Sequence, residues 1–125
     1  MSLAKISLCA FAIFALLFAF PAVAGEQQKI AALLEVIKAS DVTFIRNGSE
    51  YTGAEAYDHL KGKMKSAQNS GMAPRQEEWT AEFFIENIAS RSYISKKPYL
   101  VRLKNGEVME TGTWLRDKLK GIEKR

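Results

Sequence analysis

The sequence predicts an α+β domain, mainly helical, with about four helices and two short β-hairpins in one unit over residues 25–125. Three observations carry this expectation. Apolar residues recur at helical spacing in four separate stretches. Two Asn-Gly pairs stand between short β-favouring pieces, the signature of tight turns. The chain of 125 residues has room for one small domain and not two.

Residues 1–24 read as a secretory signal peptide. Lys5 precedes an apolar run from Ile6 to Phe20, followed by Pro21 and the small residues Ala22-Val23-Ala24, so cleavage is expected after Ala24. The run is about 15 residues, short of the roughly 20 that a spanning helix needs, and no stable membrane anchor should remain after cleavage. Cys9 lies near the start of this run rather than after it, which argues against lipoprotein processing. The mature chain, from Gly25, is then free of cysteine. That excludes a disulfide framework, a thiol nucleophile and cysteine-based metal sites. With His59 the sole histidine and no ligand pair at zinc spacing, neither a metal nor another cofactor is expected.

The first mature helix starts at Glu26. Ile30, Leu33, Leu34 and Ile37 share one stripe, and the helix ends near Ser40. Val42 to Thr52 switches to β-favouring residues around Asn47-Gly48, a hairpin. Thr52 and Glu55 then form a capping box that opens a second helix, with Ala56, Leu60, Met64 and Ala67 inward and Asn69-Ser70-Gly71 at its end. Pro74 to Glu78 reads as an exposed connection. Thr80 caps a third helix whose Phe84, Ile85, Ile88 and Ala89 share a face, while Phe83 points away toward some second element. Residues 90–98 form a loop that Lys96-Lys97-Pro98 should hold extended. Tyr99–Leu103 and Glu107–Thr111 flank Asn105-Gly106 as a second hairpin. Trp114, Leu115, Leu119 and Ile122 mark a closing helix, and Ile37, Leu60, Ile85 and Trp114 should meet in one core. The pattern Thr52-Gly53 with Asp58, Leu60, Lys61 and Gly62 recurs as Thr111-Gly112 with Asp117, Leu119, Lys120 and Gly121. Either duplication or local convergence of caps and turns explains it.

These residues resemble a domain-of-unknown-function family of short, secreted bacterial proteins. The resemblance rests on Phe44-Ile45-Arg46-Asn47-Gly48, His59-Leu60 with Lys63, Phe84-Ile85, a serine-bearing loop leading to Pro98-Tyr99, and Trp114-Leu115. It spans roughly residues 30–119 and implies an exported, mainly helical single domain, without an activity, cofactor or catalytic residue. Lys96 departs from the pattern, standing where glycine is expected.

Glu55, His59 and Lys63 lie at i, i+4 and i+8 on one helical stripe. A carboxylate beside an imidazole can support general-base work, but a helix-stabilising charge ladder is the favoured reading. A catalytic serine from Ser90, Ser92 or Ser95 would have to reach His59, and none sits in a nucleophile-elbow pattern. Arg46 beside Asn47 suits a grip on a carboxylate or phosphate. Its bland reading is a pair with an acid such as Glu50 while Asn47 serves the turn. Tyr93 and Tyr99 bracket Lys96-Lys97, either as a contact surface or, for Tyr99, as the first inward strand residue. If these groups converge, a hydrogen-bond network pinning the loop is favoured over a ligand site.

Eighteen Lys plus Arg against 14 Asp plus Glu give a net charge of +4. The basic residues do not cluster except at the C-terminal end, and with export expected, a nucleic-acid partner is excluded. The leading expectation is a periplasmic or secreted, non-enzymatic module that binds a protein or envelope component. The alternative is a small hydrolase using His59, Glu55 and a loop serine. No feature sets an oligomeric state.

Overall fold

The computed structural model describes residues 22–124, with side chains from Gly25 onward; the signal-peptide expectation therefore lies almost wholly outside the described residues. Helix α1 spans Ala22–Ala39, beginning before the expected Glu26, and it buries Ile30, Leu33, Leu34 and Ile37. It ends where the Ser40 hydroxyl turns back to donate to Ile37 O at 2.8 Å.

Strands β1 (Thr43–Arg46) and β2 (Ser49–Tyr51) form the first hairpin. Its two-residue turn has φ of 50° at Asn47 and 81° at Gly48, the double positive that a right-twisted hairpin demands. This turn sets Arg46 opposite Ser49 and Phe44 opposite Tyr51. Helix α2 (Gly53–Gln68) carries the expected capping box: Thr52 Oγ1 accepts from Glu55 N, and Glu55 accepts from Thr52 N. Glycine is required at its first residue for space, since a Cβ there would lie 2.4 Å from Ile37 O and 3.0 Å from Ser40 O.

The connection after α2 includes a 3₁₀ turn, Gln76–Glu78, with exposed side chains as expected. Trp79, which no sequence pattern placed, is 5% exposed and packs edge-on against Phe83 with ring centroids 5.0 Å apart. Phe83 off the main stripe thus finds its second element. Helix α3 starts as Ala81–Phe83, capped by Thr80 and by the Glu26 carboxylate on Ala81 N, and continues as a π-helix over Phe84–Ala89. Within that wider turn, Phe84, Ile85, Ile88 and Ala89 are all fully buried.

The loop from Ser90 to Pro98 departs from the expected extended path. It folds back on itself, with Lys96 N donating to Ser92 O at 3.0 Å, Ser92 N to Lys97 O at 3.1 Å, and Arg91 bridging Pro98. The turn is made by Lys96 at φ 61°, a left-handed conformation that glycine, expected at this position, would adopt without strain.

Strands β3 (Leu100–Arg102) and β4 (Val108–Glu110) are shorter than expected; β4 ends early because Thr111 already opens helix α4 (Thr111–Glu123). Gly106, at φ 91°, closes their loop by donating to Leu103 O. The sheet is antiparallel throughout, in the order β2-β1-β3-β4. Phe44 and Val101 pair across its centre and face the helices in one core with Ile37, Leu60, Ile85 and Trp114.

Exchanging β1/β2 with β3/β4 leaves the sheet order unchanged, and each hairpin leads into Thr-Gly at a helix start. Both glycines are crowded: a Cβ on Gly112 would lie 2.7 Å from Ser90 Oγ. Each glycine is thus required for space, Gly53 against backbone and Gly112 against a side chain, whereas Thr52 caps its helix and Thr111 does not. Among the described residues no helix is long and apolar enough to cross a membrane.

Candidate functional site

Strand periodicity decides which side chains reach the interior at the first hairpin. Phe44 faces the core, so Arg46, two residues on, projects from the same face, and the hairpin register adds Tyr51 opposite Phe44. Helix α2 brings His59 and Lys63 toward that face, one turn apart. Tyr99 enters from the end of the serine loop. Arg46, Tyr51, His59 and Tyr99 border a half-enclosed pocket of about 270 Å³ whose apolar wall includes Phe44, Ala56, Leu60 and Ala89, while Lys63 lies outside its lining.

Arg46 is the hub. Its Nη2 donates to Tyr51 Oη at 3.1 Å, and its Nη1 stands 2.9 Å from both ring nitrogens of His59. A neutral imidazole has one acceptor nitrogen, so at most one of these two approaches is a hydrogen bond. His59 Nε2 also lies 3.4 Å from Tyr99 Oη. Lys63 Nζ donates to Ile88 O at 2.8 Å and Arg91 O at 2.7 Å, tying α2 to the end of α3, and to Tyr99 Oη at 3.3 Å. It also lies over the rings of Tyr93 and Tyr99, at 4.3 Å and 4.9 Å from their centroids.

This corrects the ion pairing expected for Arg46. Glu50 pairs instead with Arg102, at 2.7 Å on the opposite face of the sheet. Among the described residues neither Arg46 nor Lys63 has a carboxylate partner. Glu55 and Asp58, both exposed, stand at the pocket's edge, and the Glu55 carboxylate is taken by the Thr52 backbone. The expected ladder Glu55–His59–Lys63 thus shares a stripe without Glu55 orienting the imidazole.

The serines lie elsewhere. Ser90 Oγ donates to Ile85 O, the buried Ser92 Oγ accepts from Ser95 N, and Ser95 Oγ donates to Asn47 Oδ1 at 2.7 Å. Among the described residues none of these hydroxyls bonds His59. Asn47 and Ser95 therefore clip the serine loop to the hairpin turn, on the exposed rim.

Two members of the site, Tyr51 and Thr111, were not among the candidate site residues. Tyr51 was available, since the two-residue turn fixes its register. Thr111 had no local signal: it lines the pocket, is 2% exposed, and its Oγ1 has no hydrogen-bond partner among the described residues. Its N–H is held by Tyr99 O at 2.8 Å. A buried hydroxyl left unpaired is a cost to the fold. Thr111→Val, which keeps the shape and removes the hydroxyl, should raise unfolding free energy by about 1 kcal/mol in urea denaturation of the ligand-free protein; a loss of that size would show that the hydroxyl is already satisfied.

The electrostatics follow from crowding of donors. Burial, then the charges of Arg46 and Lys63, hold the His59 pKa below its ordinary value, so the ring is neutral at neutral pH. Burial and Arg46 push Lys63 down to about 8, and burial pushes Tyr99 up. Because His59 binds its proton more weakly folded than unfolded, stability should fall as pH drops through 6.5, where the unfolded ring protonates. His59→Gln should remove that part of the pH slope. An NMR titration of His59 should give a pKa below 6.5, rising only part of the way in Arg46→Gln because burial remains; a wild-type value above 6.5 would contradict the assignment.

Fold and site define a single α+β domain with a half-enclosed pocket, apolar in its walls and cationic on one side. The chain belongs to the Family of unknown function (DUF5329), whose model matches residues 24–123. It is similar to the Uncharacterized protein YfeK of Salmonella typhimurium, with 39% identity over 93 residues covering 70% of this chain and 72% of that protein. No solved structure matches it.

Proposed function

We propose that this chain is an exported, periplasmic, non-enzymatic binding module that takes hold of an envelope component or a protein-borne group through the pocket around Arg46. The observation that carries this reading is Arg46 itself: a guanidinium among phenols and an imidazole, beside an apolar wall, with no carboxylate partner among the described residues. A structural arginine gains most from an acid, and Glu50 is close in sequence yet pairs with Arg102. An uncompensated cation beside a pocket is instead suited to an incoming anion. The hydrolase alternative draws no support from the bonds made by His59, Glu55 and the serines.

The test is native mass spectrometry of the protein recovered from periplasm. The expected species begins at Gly25 and carries a non-covalent adduct that is lost in Arg46→Gln, with the variant still folded. A chain retaining residues 1–24 would overturn the export reading, and an adduct unaffected by Arg46→Gln would overturn the role of the pocket.

A further inference from the structure

The binding reading leaves open what fills the pocket, and the placement of its polar groups narrows the choice. They gather around one residue. Arg46 donates to Tyr51 Oη at 3.1 Å, stands 2.9 Å from the ring nitrogens of His59, and also contacts the Tyr99 phenol directly. A guanidinium carries five N–H groups, so three partners leave two for an incoming acceptor. Tyr51 accepts from Arg46, and its own O–H has no acceptor among the described residues. The rest of the wall is apolar: Phe44, Ala56, Leu60 and Ala89 line it, and the Thr111 hydroxyl is closed off from it.

From this arrangement we propose that the pocket takes a small monocarboxylate whose body is wholly apolar, a short-chain alkanoate, with its carboxylate at Arg46 and Tyr51 and its chain against Phe44, Ala56, Leu60 and Ala89. The proposal rests on the binding reading and names its ligand class. Arg46 supplies the charge for the carboxylate, and the Tyr51 O–H donates to it. Beyond the head group the ligand meets carbon, so a hydroxyl or a second charge on its body would lose water and gain no partner.

Three features argue for one negative charge rather than the two of a phosphate monoester. Lys63 lies outside the lining and spends its three N–H groups on Ile88 O, Arg91 O and Tyr99 Oη, so it offers the pocket no second cation. His59, held neutral, adds none either. Glu55 and Asp58 at the pocket's edge repel a second negative charge. Size limits the chain: about 270 Å³ lies just under the range of roughly 300–1,000 Å³ that accepts drug-sized molecules, so the occupant is a small one.

The test is an NMR titration of the mature protein with five probes: hexanoate, butanoate, the neutral hexanamide, 6-hydroxyhexanoate and hexyl phosphate. Wild type should prefer hexanoate over hexanamide by about tenfold or more. It should prefer hexanoate over butanoate by roughly tenfold, since each buried methylene is worth about fourfold. Both 6-hydroxyhexanoate and hexyl phosphate should bind more weakly than hexanoate. Arg46→Gln should erase the preference for the acid over the amide. Tyr51→Phe, which keeps the ring and removes the donor, should weaken hexanoate about fivefold and leave hexanamide nearly unchanged; it decides the point if Arg46→Gln does not fold. Equal binding of acid and amide, a hydroxylated or shorter acid that matches hexanoate, tighter binding of hexyl phosphate, or an acid preference untouched by both substitutions would overturn the assignment. Absence of binding by all five probes would overturn the ligand class; the binding reading would stand or fall separately, on whether the periplasmic adduct is lost in Arg46→Gln.

Discussion

Replacing Gly53 with alanine is expected to cost about 3 kcal/mol or more of unfolding free energy, at or beyond the upper end of ordinary overpacking. The added Cβ would meet Ile37 O at 2.4 Å, with Ser40 O at 3.0 Å and Lys38 O at 3.1 Å behind it. All three are backbone atoms at the end of α1, and α1 cannot retreat without dragging the buried Leu33, Leu34 and Ile37 from the core. Gly112→Ala should cost less, because its nearest neighbour is the side-chain hydroxyl of Ser90, which can rotate at the loss of its bond to Ile85 O. The midpoint of urea unfolding for the two variants beside wild type decides the order. A Gly53→Ala loss below about half a kcal/mol would mean that α1 and α2 do not approach as closely as described.

Leu60→Ala should cost about 2–5 kcal/mol. Leu60 is 3% exposed and stands on α2 where the helix packs over the sheet, in one cluster with Ile37, Ile85 and Trp114. Because Leu60 also borders the pocket, its truncation enlarges an existing space, and the lower half of that range is the closer expectation. The same denaturant series checks it, and a loss under about half a kcal/mol would contradict the packing of α2.

The architecture was legible where short-range chemistry dictates it. Thr52 with Glu55 fixed the start of α2, Thr80 that of α3, and Asn47-Gly48 both the first turn and the register of its strands. What escaped was long-range. The burial of Trp79 depends on Phe83 and the core beneath it, and no periodic stripe includes it. The π-helical turn over Phe84–Ala89 differs from an α-helix by a hydrogen-bond offset that residue spacing cannot distinguish over so few residues. Lys96 adopts a left-handed turn against its own steric preference, because the bonds of Ser92 to Lys96 and Lys97 close the loop around it.

The candidate site was legible in part. Arg46, His59, Lys63 and Tyr99 meet as a cluster, and Asn47 with Ser95 joins at its rim, while Glu55 is kept by its cap. The partner of Arg46 was misassigned because Glu50, near in sequence, projects from the other face of its strand, one residue out of phase. Thr111 could not be found from the chain alone, since its hydroxyl is notable only for the partner it lacks in three dimensions.

The central claim is that Arg46 is held for a ligand and not for the fold, and the melting temperature of Arg46→Gln in ligand-free buffer tests it most directly. The Arg46 charge lies near Lys63 and His59 with no paired acid among the described residues, so removing it relieves repulsion while glutamine retains a donor for Tyr51. The melting temperature should stay within about 2 °C of wild type or rise. A fall of roughly 8 °C or more, as unpaired Tyr51 and His59 would produce in a domain of this size, would contradict the claim and make the cluster a scaffold.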